Sequence, residues 1–425
     1  MIDIPTLIKK LPLRPILIAG CVLMISVFTW YTITRAPRVT HGFVVYYTNA
    51  RMILEGEDFQ KAYDYDYFNA KMREYGIQEI MDVPHNLPTN ALLLAPLAWL
   101  SPEETKVVLS AASYVCILAS LFILLRLHGV RIQENLGMAL AILFLAWRPL
   151  YDNIYLGQIY AILLLLFCFS MLGIKKAGST VYPLPLSVAF LFKGHGAVPM
   201  LWLVVQKNWK TLLVALLSVL IVLLATLPVF GLDAWGAYIS TVVSKLGTNP
   251  TDAGTSYQTI NSLVYHLFTY DPQWVPSPVV ILPGFIVRMI SYLLNIALIV
   301  YVLVSGHRAS GSARVASYSA AVAAGVVTAP LAEGYAFTLF LPLIVTLVIA
   351  ISKRFQRIRT IGTVGWISLA AILVLASPIR YEFLPYATFP LVLLAYMKLC
   401  AGVAVLCCFG RMARSPYFDQ AELRS

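Results

Sequence analysis

Charge is what this chain has least of. Only 12% of its 425 residues are Asp, Glu, Lys or Arg, and 60% are hydrophobic, whereas soluble domains carry about 25% charged residues. That balance excludes a string of soluble domains and leaves one polytopic membrane bundle. Signature motifs are missing as well: no P-loop, HExxH, CxxC or GxSxG occurs, so ATP-driven transport, zinc proteolysis and serine hydrolysis lose their usual marks. Cys21, Cys116, Cys168, Cys400, Cys407 and Cys408 all lie in apolar stretches, with neither disulfide nor zinc-ligand spacing. No metal site and no cofactor is expected. The formal charge of +11 comes from short basic clusters between apolar runs rather than from a patch, so nucleic acid is not an expected partner.

Apolar runs recur at roughly 15–33, 106–126, 134–150, 158–174, 211–230, 281–305, 315–329, 336–352, 360–377 and 386–409. Each approaches the ~20 residues a crossing needs. A further stretch, 181–205, is interrupted by Phe192-Lys193-Gly194-His195-Gly196 and flanked by Pro183, Pro185 and Pro199. It reads as two half-length helices meeting at a bend, which a membrane tolerates only where the freed backbone lines a cavity. The expectation is an all-α bundle of about 11–12 transmembrane segments. The run after Lys9, Lys10 and Arg14 is read as the first span rather than a cleaved signal.

The basic clusters fall on one side of the membrane only if 181–205 goes out and returns as a hairpin. Both termini are then cytoplasmic in the inner (plasma) membrane, with 411–425 a cytoplasmic tail. The outer face receives the 34–105 insert, Trp147 to Asp152, the Lys193 bend, the 231–280 loop, Glu333, Arg380 and Glu382. Within the first insert Phe43, Tyr46, Tyr47, Ala50, Ile53 and Leu54 recur at helical spacing, the pattern of an amphipathic helix on a membrane surface. An acidic, tyrosine-rich run follows: Glu55, Glu57, Asp58, Tyr63, Asp64, Tyr65, Asp66 and Tyr67. Aromatic faces and carboxylates suit carbohydrate, although an interfacial tyrosine belt on a solvated loop gives the same composition.

Lys193 is the sharpest single signal. A lysine in an apolar segment costs roughly 3 kcal/mol on insertion scales and marks a site by default, and the anion expected at that depth is a lipid phosphate. The bland alternative is a side chain that snorkels to the interface. Arg148 and Arg288 lie at outer helix ends and offer phosphate a bidentate partner, or else pair with Asp152, Glu333 or another wall residue. Gln158, following Gly157, is placed to bond a sugar hydroxyl, though a polar residue at a helix start is ordinary. An enzyme on the outer face has no nucleotide supply, so a transferred group would arrive on a lipid.

Read in order, these pieces resemble glycosyltransferase family 87 of the GT-C superfamily, which includes the polyprenyl-phosphate-mannose-dependent mannosyltransferases of mycobacteria. The resemblance is carried by Phe43-x-x-Tyr46-Tyr47 with Ala50 through Gly56, and by Pro84-His85-Asn86-Leu87-Pro88-Thr89 leading to Ala95-Pro96-Leu97. It continues through Leu156-Gly157-Gln158, Leu191-Phe192-Lys193 with Pro199, Phe230-Gly231 with Trp235, Gln258 to Leu263, and Thr328-Ala329-Pro330-Leu331. It implies transfer of a hexose, mannose favoured, from a polyprenyl-phosphate donor to a lipid or glycan acceptor with inversion; a phosphate leaving group needs no divalent metal if enough cations line the pocket, and no metal constellation is present in the sequence.

The resemblance also exposes a departure. Where the family usually places an aspartate base this chain has Gly42, and where the family tends to a histidine it has Tyr335. Three explanations stay open: His41 serves as base; Asp58, Asp152 or Glu333 folds in; or the chain binds polyprenyl-phosphate lipid without transfer. On this reading His41, Asp58 and Glu333 are the candidate catalytic groups, and Lys193, Arg148 and Arg288 hold phosphate. Tyr46, Tyr47, His85, Asn86, Asp152, Gln158, His195 and Asn261 face sugar or acceptor. A secondary transporter is a weaker rival, because no second broken segment pairs with 181–205.

Overall fold

The computed structural model describes residues 12–79, 86–175, 183–245, 250–307, 309–358, 360–379, 381 and 389–414. His85, Arg380, Glu382 and the end of the tail lie outside them. Among the described residues every named element is helical. The chain opens with α1 (Leu13–Arg35) and α2 (His41–Leu54). A 3-10 turn (Phe59–Tyr63), α3 (Tyr65–Glu74) and two more 3-10 turns (Pro88–Leu93 and Ala95–Leu97) complete the first insert. Next come α4 (Pro102–Leu127), α5 (Asn135–Leu145), α6 (Arg148–Leu156), α7 (Tyr160–Lys175), α8 (Pro183–Lys193) and α9 (Ala197–Val205). α10 (Trp209–Ala237) runs through a π turn (Tyr238–Val243) towards α11 (Ile260–Phe268) and α12 (Gly284–Ser305). The last third holds α13 (Gly311–Val327), a 3-10 turn (Gly334–Phe340), α14 (Leu341–Ile358), α15 (Gly362–Ala376), α16 (Val392–Ala395) and α17 (Met397–Ala413).

Five helices are long and apolar enough to cross a membrane alone: Leu13–Arg35, Pro102–Leu127, Trp209–Val243, Gly284–Ser305 and Gly334–Gln356. The other apolar segments are shorter or broken. α5 stops before Trp147-Arg148-Pro149, and α6 begins with Pro149 in its first turn, where a missing N–H costs nothing. The break at 181–205 is where the residue pattern put it: α8 ends at Lys193, Gly194 turns left-handed at φ +69°, and α9 starts at Ala197. The molecule is thus an all-α polytopic membrane protein. α1 and α10 expose apolar side chains such as Val22, Trp30, Leu213 and Ile221, as lipid-facing helices do. α13 and the start of α14 are almost wholly buried and form the centre.

Local chemistry explains how the first insert folds. Ser101 accepts from the Glu104 backbone N–H while the Glu104 carboxylate accepts from the Ser101 N–H, a reciprocal cap that starts α4. Asp58 and Asp64 cap the 3-10 turn and α3 through Gln60 N and Tyr67 N. α2 is more enclosed than an interfacial helix with one wet face. Every residue from Gly42 to Ala50 is buried, because the two turns from Pro88 to Leu97 cover the face that would otherwise meet water. The Tyr47 hydroxyl donates to Leu100 O at 2.8 Å, and Arg51 to Ala98 O at 2.9 Å. The second loop is tied in by Gln258 N donating to Ala332 O at 2.8 Å and by an antiparallel bridge of Tyr257 with Glu333.

Candidate active site

Lys193 terminates α8 beside the bend, and its Nζ donates to Asn86 Oδ1 at 2.9 Å. The same ammonium lies 5.3 Å from the Tyr46 ring centroid and 5.8 Å from that of Tyr160, so two phenol faces and an amide replace water around it. No carboxylate among the described residues stands within ion-pairing distance of Lys193. Its charge is therefore solvated rather than neutralised, as an anion site requires. Glu333 acts on Lys193 from further off, and also on Tyr46, Tyr160 and Tyr335. Lys193, Gly194, Glu333, Gly334 and Tyr335 keep partial exposure although their neighbours are buried, which leaves this group of side chains reachable.

The elements that position these groups interlock closely. Asn86 is held by Tyr63, whose hydroxyl donates to Asn86 O at 3.1 Å, and Thr89 donates to Leu191 O at 2.6 Å. His195 Nε2 lies 3.0 Å from the Tyr160 hydroxyl, and the Tyr160 and Tyr335 rings are 5.2 Å apart. The Tyr46 hydroxyl donates to Gln158 Oε1 at 2.9 Å; burial first, then Tyr160 and Glu333, pushes the Tyr46 phenol well above its usual pKa, so it stays protonated as a donor. Gln158 follows Gly157, which ends α6 at φ +61°. A Cβ on Gly157 would meet Phe43 Cβ at 2.6 Å and Lys106 Cε at 2.7 Å. Lys106 is itself fully buried and donates to Ile154 O at 2.8 Å and Ser110 Oγ at 3.2 Å, closing the end of α6.

Gly42 is a close-approach glycine. A Cβ there would lie 2.3 Å from Gln158 Nε2 and 2.6 Å from Leu156 O. The position at which the family resemblance implies an acid is therefore closed to any side chain, because α2 presses directly on the α6–α7 junction.

Six of the residues expected from sequence come together: Tyr46, Asn86, Gln158, Lys193, His195 and Glu333. The others are placed elsewhere. Arg148 pairs with Asp152 one turn along α6, at 2.8 Å, and Arg288 is exposed on the first turns of α12 beside Tyr265. Asp58 is an exposed cap, and His41 is an exposed first residue of α2 that shares no hydrogen bond with the cluster among the described residues. Tyr47 faces Leu100, and Asn261 bonds Ser291 and Pro330 O, stitching loop to helix. Sequence reasoning missed Tyr160 and Tyr335 as members of the group. It also missed Lys106 and the buried Lys398, whose Nζ would stand 3.4 Å from a Cβ on Gly334. The signal that found Lys193, a lysine inside an apolar run, was present for Lys398; Lys106 follows Glu103, Glu104 and Thr105 and carried no such mark.

A membrane-embedded break that gathers a cation, phenols, an amide and a carboxylate in a polytopic bundle has the chemistry for group transfer at lipid depth. The model of glycosyltransferase family 87 matches residues 85–295, about half of the chain, and the chain belongs to that family of membrane glycosyltransferases. The match takes in Asn86, Gln158, Tyr160, Lys193 and His195. No curated protein matches the chain.

Proposed function

We propose that the protein transfers a hexose, mannose favoured, from a polyprenyl-phosphate donor to a lipid or glycan acceptor on the outer face of the plasma membrane, with both termini cytoplasmic. The observation that carries this reading is Lys193. It is a cation at a helix break, wrapped by Asn86, Tyr46 and Tyr160 and left without a close carboxylate. In the proposed step the acceptor oxygen attacks the anomeric carbon as the bond from that carbon to the phosphate oxygen breaks. The electron pair leaves on polyprenyl phosphate, whose added charge Lys193 stabilises. The acceptor proton passes to Glu333, the carboxylate nearest in effect to Lys193 and the three tyrosines. A single displacement of this kind inverts the anomeric centre, and on this reading Lys193 takes the charge-stabilising role without a divalent ion. Gln158, Asn86 and His195 orient hydroxyls.

Gly42 favours a second reading, in which the fold binds polyprenyl-phosphate lipid without transfer, because the family's acid cannot be housed there. Proteoliposomes given radiolabelled polyprenyl-phosphate mannose and extracted membrane lipids separate the two. Labelled glycolipid from the wild type supports transfer; tight donor binding with no product supports the second reading.

A further inference from the structure

We propose that Arg35, with Arg148 beside it, forms a second anion site that takes the phosphodiester headgroup of an anionic bilayer lipid. Arg35 is the last residue of α1, and its Cζ lies 5.7 Å from the Tyr31 ring centroid and 5.7 Å from that of Tyr155. A guanidinium held against two rings keeps its five N–H donors at its edges, in the fork that matches phosphate oxygens. No carboxylate among the described residues pairs with it. Snorkelling does not account for the arrangement, since a snorkelling side chain extends to water, whereas this one is clamped.

The rings are themselves fixed: Tyr31 meets Tyr151 edge-on at 5.0 Å, and Phe28 meets Tyr151 at 5.1 Å. Arg148 spends Nε and Nη2 on a single oxygen, Asp152 Oδ1, at 3.0 and 2.8 Å, so part of its fork is uncommitted. Tyr155, against which Arg35 packs, lies on α6 three residues after Asp152 and two turns after Arg148, so all three share one face of that helix. Two arginines against one carboxylate leave the cluster positive.

A lipid, rather than free phosphate, fits the surroundings. Trp30 and Ile33, five and two residues before Arg35, are 70% and 63% exposed, and Val22 continues that apolar face down α1. Acyl chains lying along it bring a headgroup to the end of α1, where Arg35 turns back against Tyr31 and Tyr155. The exposed tryptophan marks interfacial depth. Only the side of the membrane is taken from the proposed topology; on the outer side the positive-inside bias gives no reason for arginines here. The cluster is distinct from the Lys193 group: the two share no side-chain hydrogen bond or ion pair among the described residues.

Native mass spectrometry of the full-length protein, with phosphatidylglycerol as probe, tests this without any turnover, so its outcome is independent of the proposed transfer. Arg35→Gln should weaken retention of one phosphatidylglycerol about fivefold, the effect of one surface arginine on an anionic lipid. Asp152→Asn, which frees the Arg148 fork, should tighten it. Arg38→Gln, at an exposed neighbour, should leave it in place. Unchanged retention in Arg35→Gln, or an equal loss in Arg38→Gln, would overturn the site, since the attraction would then be absent or diffuse. Displacement by millimolar inorganic phosphate as readily as by lipid would assign the same arginines to a free anion and overturn the lipid.

Discussion

At the scale of single residues the sharpest feature is a missing side chain. Gly42 stands where the family resemblance implies an acid, and the space a Cβ would fill is already taken by Gln158 and Leu156 O. Gly42→Asp should therefore not improve transfer. It should destabilise the α2 junction by about 1–3 kcal/mol, the usual cost of overpacking, measurable as a lower unfolding temperature in detergent. In the proposed transfer the base comes from another element, and Glu333 is the carboxylate whose charge is felt by Lys193 and its tyrosines. Glu333→Gln should lower kcat with little change in donor KM, the pattern of a group engaged in the transition state. An unchanged kcat would remove Glu333 from the role. Gly42 as a gap and Glu333 as a candidate were readable in the chain; the contact that closes the gap was not, because it joins positions 42 and 158.

At the scale of elements the broken helix and the acidic insert behave differently. The break was legible, because Lys193-Gly194-His195-Gly196 and its flanking prolines interrupt an apolar run in a way that only a bend satisfies. Gly194 has open space where a Cβ would sit but a φ of +69°, so Gly194→Ala should cost about 1 kcal/mol through backbone strain alone. Thermal unfolding checks that. The enclosure of α2 was not legible, since its spacing fits one apolar face and the covering turns at 88–97 come from a segment without periodicity.

In the insert, Lys71 and then Tyr67 hold the Glu57 carboxyl below the usual carboxylate range, and together they join the 55–57 turn to α3. A carboxylate with a depressed folded value stabilises fully above its unfolded pKa of about 4.3 and loses that contribution as pH falls through the lower folded value. Amide exchange over 65–75 should therefore be flat from pH 7 down to about 4.3 once corrected for intrinsic rates, and rise below it. Glu57→Gln should exchange faster at neutral pH and lose the acid dependence.

At the scale of the whole molecule, composition alone gave the class: with so little charge the chain had to be a helical membrane bundle, and it is. Span count was less legible, because only five helices among the described residues are long enough to cross alone and the rest are short or broken pieces whose ends are set by partners such as Trp147, which donates to Phe337 O at 3.1 Å. Six scattered residues meet around Lys193 because α2, the 86–90 turn, α7, α8 and the 333–335 segment converge there. Arg148 is turned to Asp152 and Arg288 to the surface, a distinction that helix rotation decides and sequence spacing does not.

Turnover of polyprenyl-phosphate mannose by Lys193→Ala, compared with wild type in matched proteoliposomes, tests the role of that lysine most directly. If the lysine stabilises the departing phosphate, kcat falls about 10²- to 10³-fold, as when one preorganised charge donor is removed, while unfolding temperature and lipid retention at Arg35 hold. A Lys193→Ala protein that is folded and turns over within about twofold of wild type, far short of that loss, would contradict it.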